Sequence, residues 1–169
     1  TDETSVSPGA RLNPDADDTS YPSNTDDYFS SGMVSFQDSG YETRIEPNLL
    51  KIVEDIAIEY GSPLLITSGK RPPDSNKGVG SSSQHVKGKA VDVRRRDGSS
   101  LTKRDLDIIA RLASEKGIGV FCDYPDSVTN ETTSFLHLDT RSYKASWGPN
   151  YSNSSLPNYA RQVLSKYGW

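Results

Sequence analysis

Apolar residues fall in short, separated groups along this chain, and each group has its own period. Leu49, Leu50, Val53, Ile56 and Ala57 recur at helical spacing and predict a helix over about 46–60. Pro47 suits its first turn, where a missing N–H costs nothing, and Gly61 ends it. "PLLITSG", residues 63–69, reads as a buried strand, and the following "KRPPDSNKGVGSSSQ" reads as a loop. In "KAVDVRR" a period of two sets Ala90, Asp92 and Arg94 on one face of a strand and Val91 and Val93 on the other. "SLTKRDLDIIARLASEKG" predicts a second helix, capped by Ser100 or Thr102 and closed by Gly117. Its buried side is Leu106, Ile109, Ala110 and Ala113. "IGVF" and "SFLHLDT" predict an antiparallel pair of strands joined by a long loop over 123–133, and "SLPNYARQVLSKYGW" a short closing helix.

Few helices with several short strands imply an α+β domain, a small and mainly antiparallel sheet flanked by helices. The domain is expected over 28–169, ending in an aromatic tail of Tyr151, Tyr159, Tyr167 and Trp169 that fills the core or docks a partner. Residues 28–36 are apolar without a clean period and predict a short packed lead-in. Residues 1–27 are rich in Asp, Ser and Pro and predict a flexible arm, free or draped on a partner.

Composition narrows the function classes. The net charge of -4 argues against nucleic acid or an anionic membrane as partner. No run of 18 apolar residues exists to span a bilayer. The first residues, "TDETSVSPGAR", have neither the basic start nor the apolar stretch of a signal peptide. Cys122 is the one cysteine, so an internal disulfide is excluded and a buried thiol expected. Asn130 and Asn153 begin short glycosylation-type sequons, a pattern common by chance.

The candidate chemistry lies in the two histidines of the chain. His85 precedes the predicted strand bearing Asp92, and His137 lies on another strand. Two imidazoles and a carboxylate are the three protein ligands of a catalytic zinc site with one position left open. Gly88 frees the backbone between His85 and Asp92, and small Ala90 leaves room beside the ligand. A carboxylate on an apolar strand is costly to bury unless it is paired or metal-bound. The alternatives are two unrelated histidines, and an Asp92 paired with Arg94, Arg95 or Arg96.

The stretch "SQHVKGKAVD", 83–92, fits Ser-x-His-x-x-Gly-x-Ala-x-Asp. It resembles the M15 family of zinc peptidases, the D-alanyl-D-alanine carboxypeptidase and phage endolysin group, whose fold recurs in the amino-terminal domain of hedgehog proteins. "ITSGKRPPDSNKGVG" is similar to that family's strand-and-loop segment, with Arg71 and Asn76 in matching places and Lys70 where tyrosine is usual. "GIGVFCDYPDS" and "TSFLHLDTRSYKASWG" resemble the closing segment of its phage-like branch. The resemblance covers about 28–148.

It implies Zn²⁺ held by His85, Asp92 and His137. It also implies an activity, hydrolysis of an amide bond in peptidoglycan stem peptides. The substrate is then a D-Ala-D-Ala end or another bond to a D-residue. Many members carry Asp or Glu three residues before the last zinc histidine, where this chain has Ser134. The expected general base is therefore Asp139, which shares a strand face with His137, or Glu131, placed as the hedgehog glutamate is. Without a base, Asp139 orients a histidine and Glu131 is a solvated loop residue. Arg71 is expected to hold a substrate carboxylate, or else to pair with Asp74 or Asp123. Ser83 is expected to bond substrate or its own loop, and Trp147 to pack on the site wall. The other class of function is a non-catalytic, zinc-stapled protein of a phage virion or cell wall, with the arm binding other virion proteins. Either class places the chain outside the cell, in a periplasm or on a virion.

Overall fold

The computed structural model describes residues 29–72 and 83–169. The arm over 1–27 and the loop residues Asp74 and Asn76 lie outside these. Among the described residues the chain forms an α+β fold with a seven-stranded sheet and three α-helices. The strands are β1 (Val34–Phe36), β2 (Leu64–Ser68), β3 (Ala90–Arg95), β4 (Leu101–Thr102), β5 (Val120–Ser127), β6 (Thr132–Asp139) and β7 (Ala145–Trp147). The helices are α1 (Pro47–Tyr60), α2 (Lys103–Glu115) and α3 (Asn158–Ser165). Strand order is β1-β2-β3-β6-β5-β7, with β4 on β6.

Local chemistry explains the helices. Pro47 starts α1, and Gly61 closes it at φ 84° with its N–H on the Ala57 carbonyl. Leu49, Leu50, Val53, Ile56 and Ala57 are all buried. Thr102, of the two candidate caps, starts α2. Its hydroxyl accepts from the Asp105 N–H while the Asp105 carboxylate accepts from the Thr102 N–H, a reciprocal pairing that satisfies two otherwise orphaned donors.

The sheet is mixed rather than mainly antiparallel. Its centre, β2-β3-β6-β5, is antiparallel, but β1 joins β2 in parallel and β7 joins β5 in parallel. Helix α1 carries the chain back between β1 and β2, which lets them run the same way. On the other side the chain leaving β6 crosses tightly over Gly119. A Cβ there would stand 1.9 Å from the Arg141 carbonyl oxygen, so only glycine admits the crossing that lays β7 beside β5. The expected lead-in over 28–36 contains the edge strand β1.

The region 123–133 is not a long loop. β5 continues to Ser127 and β6 begins at Thr132, leaving a tight turn. Polar side chains hide the strand period here because they bond one another. Asp126 accepts from Ser100 and Thr132, and Asp123 from Thr133 and Tyr159. Between Phe135 and Thr133 the register skips Ser134, a bulge that places Thr133 under Asp123.

The sheet has two different faces. Val91, Val93, Phe121, Leu136 and Leu138 join the apolar cluster that includes the buried faces of the three helices. Tyr159, Tyr167 and Trp169 of the aromatic tail pack there too, whereas Tyr151 does not. The opposite face carries the polar row described below. No helix among the described residues is long and apolar enough to cross a membrane.

Asp123 is the charged residue set on the core side, fully buried. Burial pushes its pKa from 3.8 up to about 6, against the lowering hydrogen bonds from Thr133 and Tyr159. A raised folded-state pKa means that the folded chain binds the extra proton between about pH 4 and 6. This contribution is full below that window and lost as pH rises through it. Asp123→Asn keeps the size without the charge; its one oxygen can still accept from Thr133, while its amide nitrogen can only donate to the Tyr159 hydroxyl, which also bonds the Thr132 carbonyl. Urea titrations are expected to show the variant gaining on the parent as pH rises from 4 to 7, by up to roughly 3 kcal/mol. A difference that does not change with pH would contradict this.

Candidate metal centre

One rung of the sheet builds the site. Ser68 pairs with Asp92, Asp92 with His137, His137 with Cys122 and Cys122 with Trp147 across five adjacent strands. Directly opposed residues share a face, so these side chains stand shoulder to shoulder. His85 arrives from outside the sheet, on a turn over 83–89. Val86 donates to the Ser83 carbonyl, Gly88 to His85 and Lys89 to Gln84, while Gly88 takes φ 70°. The turn is tied down where Arg71 N–H donates to the His85 carbonyl and Glu46 N–H to that of Gly88.

The result is a triangle of ligand atoms. His85 Nε2 lies 3.2 Å from His137 Nδ1 and 3.4 Å from Asp92 Oδ1, and His137 Nδ1 lies 3.2 Å from the same oxygen. All three residues are buried. Tetrahedral zinc with bonds of about 2.0–2.1 Å places its ligand atoms about 3.3–3.4 Å apart. The spacing therefore fits such an ion.

The outer ring nitrogens fix which atoms face inward. His85 Nδ1 is 2.9 Å from the Gly69 carbonyl oxygen, which can only accept, so Nδ1 carries the proton. His137 Nε2 is 2.8 Å from Asp139 Oδ2. Burial disfavours the Asp139 charge, but His137 and Arg141 outweigh it and hold the carboxyl below its usual range. An ionised carboxylate only accepts, so His137 Nε2 carries the proton there. Both inner nitrogens are then left with lone pairs, converging with a carboxylate oxygen at hydrogen-bond distance. Such a set requires a cation, either a proton or a metal ion. Burial likewise opposes the Asp92 charge, but with the proton as the cation an inner N–H of His137 or His85 donates to Asp92 and holds its carboxyl well below the usual range.

The other expected site residues divide clearly. Arg71 adjoins the cluster. Its Nη2 donates to Asp92 Oδ2 at 3.4 Å and to Ser68 Oγ at 2.8 Å, and its Nε to the same hydroxyl at 3.1 Å. Among the described residues Asp92, not Asp123, is thus a carboxylate neighbour, Asp123 being on the other face, and Asp74 lies outside them. Ser83 Oγ accepts from the His85 N–H at 3.2 Å and steadies the turn. Trp147 lies 6.4 Å from His137 between ring centroids, with the Arg141 guanidinium 4.9 Å above it. Asp139 lies behind His137, on the ring edge opposite the triangle. It is fully buried, and both oxygens accept from Arg141. Glu131 sits in the β5–β6 turn at φ 54°, exposed, with Lys103 at 3.9 Å. Six residues of strand separate it from His137, about 20 Å. Ser134 is exposed on its bulge.

Two supports escaped the sequence reading. The Glu42 carboxylate accepts from the Gly69 N–H, and Gly69 in turn holds His85. A Cβ at Gly69 would stand 2.1 Å from the Glu42 carbonyl, so this contact needs glycine. The "SG" of "ITSG" is the only trace of it in the sequence. Tyr124 stacks on Phe135 at 4.3 Å beside the same rung, a pair missed because Tyr124 fell in the expected loop.

Loss of one ligand, as in His85→Ala, is expected to abolish one-to-one zinc binding in a chelator competition. Asp139→Asn keeps the shape but not the charge behind His137. It is expected to weaken zinc binding by about 10–100-fold, and an unchanged affinity would contradict the orienting contact.

No curated protein matches the chain. A family model, described as Peptidase M15, matches residues 26–139, more than half of the chain. The match takes in His85, Asp92 and His137, and M15 peptidases are zinc-dependent. The rung of ligands, the turn that brings His85 to it and this match agree, and the chain belongs to the M15 family of peptidases.

Proposed function

We propose that this peptidase hydrolyses an amide bond in peptidoglycan stem peptides with a zinc ion, as a D-Ala-D-Ala carboxypeptidase or a related endopeptidase. The observation that carries the reading is the triangle of inward lone pairs, each histidine locked in the tautomer that a metal needs. His85 through Nε2, His137 through Nδ1 and Asp92 through Oδ1 would hold the ion. When bound, zinc supplies an activated water and polarises the scissile carbonyl.

The other residues take roles from where they stand. Asp139 is a positioning residue. It fixes the proton on His137 Nε2, while Arg141 keeps it charged. Glu131 is a turn residue remote from the chemistry. Arg71 presents its guanidinium beside Asp92, suited to a substrate carboxylate by charge-assisted hydrogen bonds. Ser83 serves the loop that carries His85. Peptidoglycan as substrate places the chain outside the cytoplasm, in a periplasm, at a wall or on a virion.

The second reading, a zinc-stapled binding protein of a virion or wall, is favoured by the engagement of Asp139 and Glu131 away from the triangle. Turnover separates the two. The zinc-loaded chain is expected to release stem-peptide fragments from purified peptidoglycan, and full zinc occupancy without any release would select the staple. Arg71→Ala, at unchanged zinc content, is expected to lose about 10–100-fold in kcat/KM on peptides with a free terminal carboxylate. It should lose far less on the amidated peptides, and equal losses would remove Arg71 from carboxylate binding.

A further inference from the structure

Tyr124 and Phe135 are direct partners across β5 and β6. Their rings stack at 4.3 Å and 11°. By alternation they stand on the face of Cys122 and His137, one row along. The Tyr124 phenol lies within electrostatic reach of Asp92, Arg71 and the Tyr151 hydroxyl, and burial above all keeps its proton on. An aromatic wall thus begins beside the metal cluster.

The chain returns to this wall after β7. Trp147, the last residue of β7, pairs with Cys122, itself the partner of His137. A turn then folds back, with the Tyr151 N–H on the Gly148 carbonyl at 3.1 Å. Tyr151 holds φ 55°, in the left-handed region that suits glycine and strains a residue with a Cβ. Its side chain is 62% exposed, so it fills no core that would offset the strain. The turn is nevertheless well tied. Gly148 N–H donates to the Ser152 carbonyl, Asn150 N–H to Ser155 Oγ, and Asn153 Nδ2 to the Ser146 carbonyl. Because β7 runs parallel to β5, the chain leaving Trp147 heads toward the Tyr124 row, and this hydrogen-bonded loop presents a strained, exposed tyrosine on that side of the site. Tyr151 also lies beyond the residues that the family match covers.

We propose that Tyr151 is a specificity-determining residue, forming with Tyr124 and Phe135 the wall against which the substrate peptide lies next to the metal cluster. This rests on the peptidase reading above. Flat amide groups of an extended peptide lie well on aromatic faces, and small side chains let the backbone come close. The wall accordingly selects small residues beside the scissile bond and holds off bulky branched ones.

The experiment compares wild type, Tyr151→Gly and Tyr151→Phe, all zinc-loaded, on stem pentapeptides ending in D-Ala-D-Ala or D-Ala-D-Val. Tyr151→Gly is expected to raise the Tm by a few degrees through relief of the strain. It should also raise KM for the D-Ala-D-Ala peptide about five- to tenfold with kcat little changed, and narrow the preference over D-Val. Tyr151→Phe, which keeps the ring, is expected to keep KM within about threefold. An unchanged KM and preference in Tyr151→Gly, with wild type active, would overturn this inference alone. A wild type that turns over neither peptide nor intact peptidoglycan would overturn the peptidase reading and this inference with it.

Discussion

Asp92 and His137 face each other across β3 and β6, and much of the molecule is arranged to keep that register. A slip of either strand by one residue would turn its ligand into the apolar cluster and send its own pair, Val91 and Val93 or Leu136 and Leu138, outward. Those four residues are completely buried against the helices, so the core itself holds the ligands in line. Each fully buried aliphatic chain contributes on the order of 2 kcal/mol. Several of them together outweigh the cost of lining the other face with buried polar groups.

That cost is met locally, through hydrogen bonds that also set the chemistry. Gly69 takes the outer proton of His85, and Asp139 takes that of His137. The Arg141 guanidinium then answers the Asp139 charge and stacks over Trp147, at the end of the rung. The polar groups form a chain from the edge of the sheet to its centre. Its inner end is three lone pairs in one place, an arrangement stable only around a cation. The metal site is thus the last partner of a hydrogen-bond network, and the strands and the network specify the same geometry.

The sequence made the ligands and the main elements readable because their signals are local. Helical spacing marked α1 and α2, a period of two put Asp92 on its own face of β3, and the motif from Ser83 to Asp92 pointed to the family. The parallel edges could not be read, since β1 and β7 are three residues each and their direction is set by crossings far along the chain. The antiparallel pairing of β5 and β6 was readable, but the outer part of their hairpin was hidden because Asp123, Asp126 and Thr133 look like loop residues until their mutual hydrogen bonds are seen. The role of Asp139 was half readable. Its shared face with His137 was clear, but which ring nitrogen it meets depends on the rotamer of His137 and on Arg141. Glu42 and Gly69 left almost no trace, because their contact joins segments that no period connects.

The most direct test of the account is zinc-edge anomalous diffraction from crystals of the zinc-loaded protein. The expected result is one strong peak about 2.0–2.2 Å from His85 Nε2, His137 Nδ1 and an Asp92 oxygen, with His137 Nε2 still on Asp139. A peak ligated instead by His137 Nε2, or no peak at this rung despite zinc in the crystal, would contradict it.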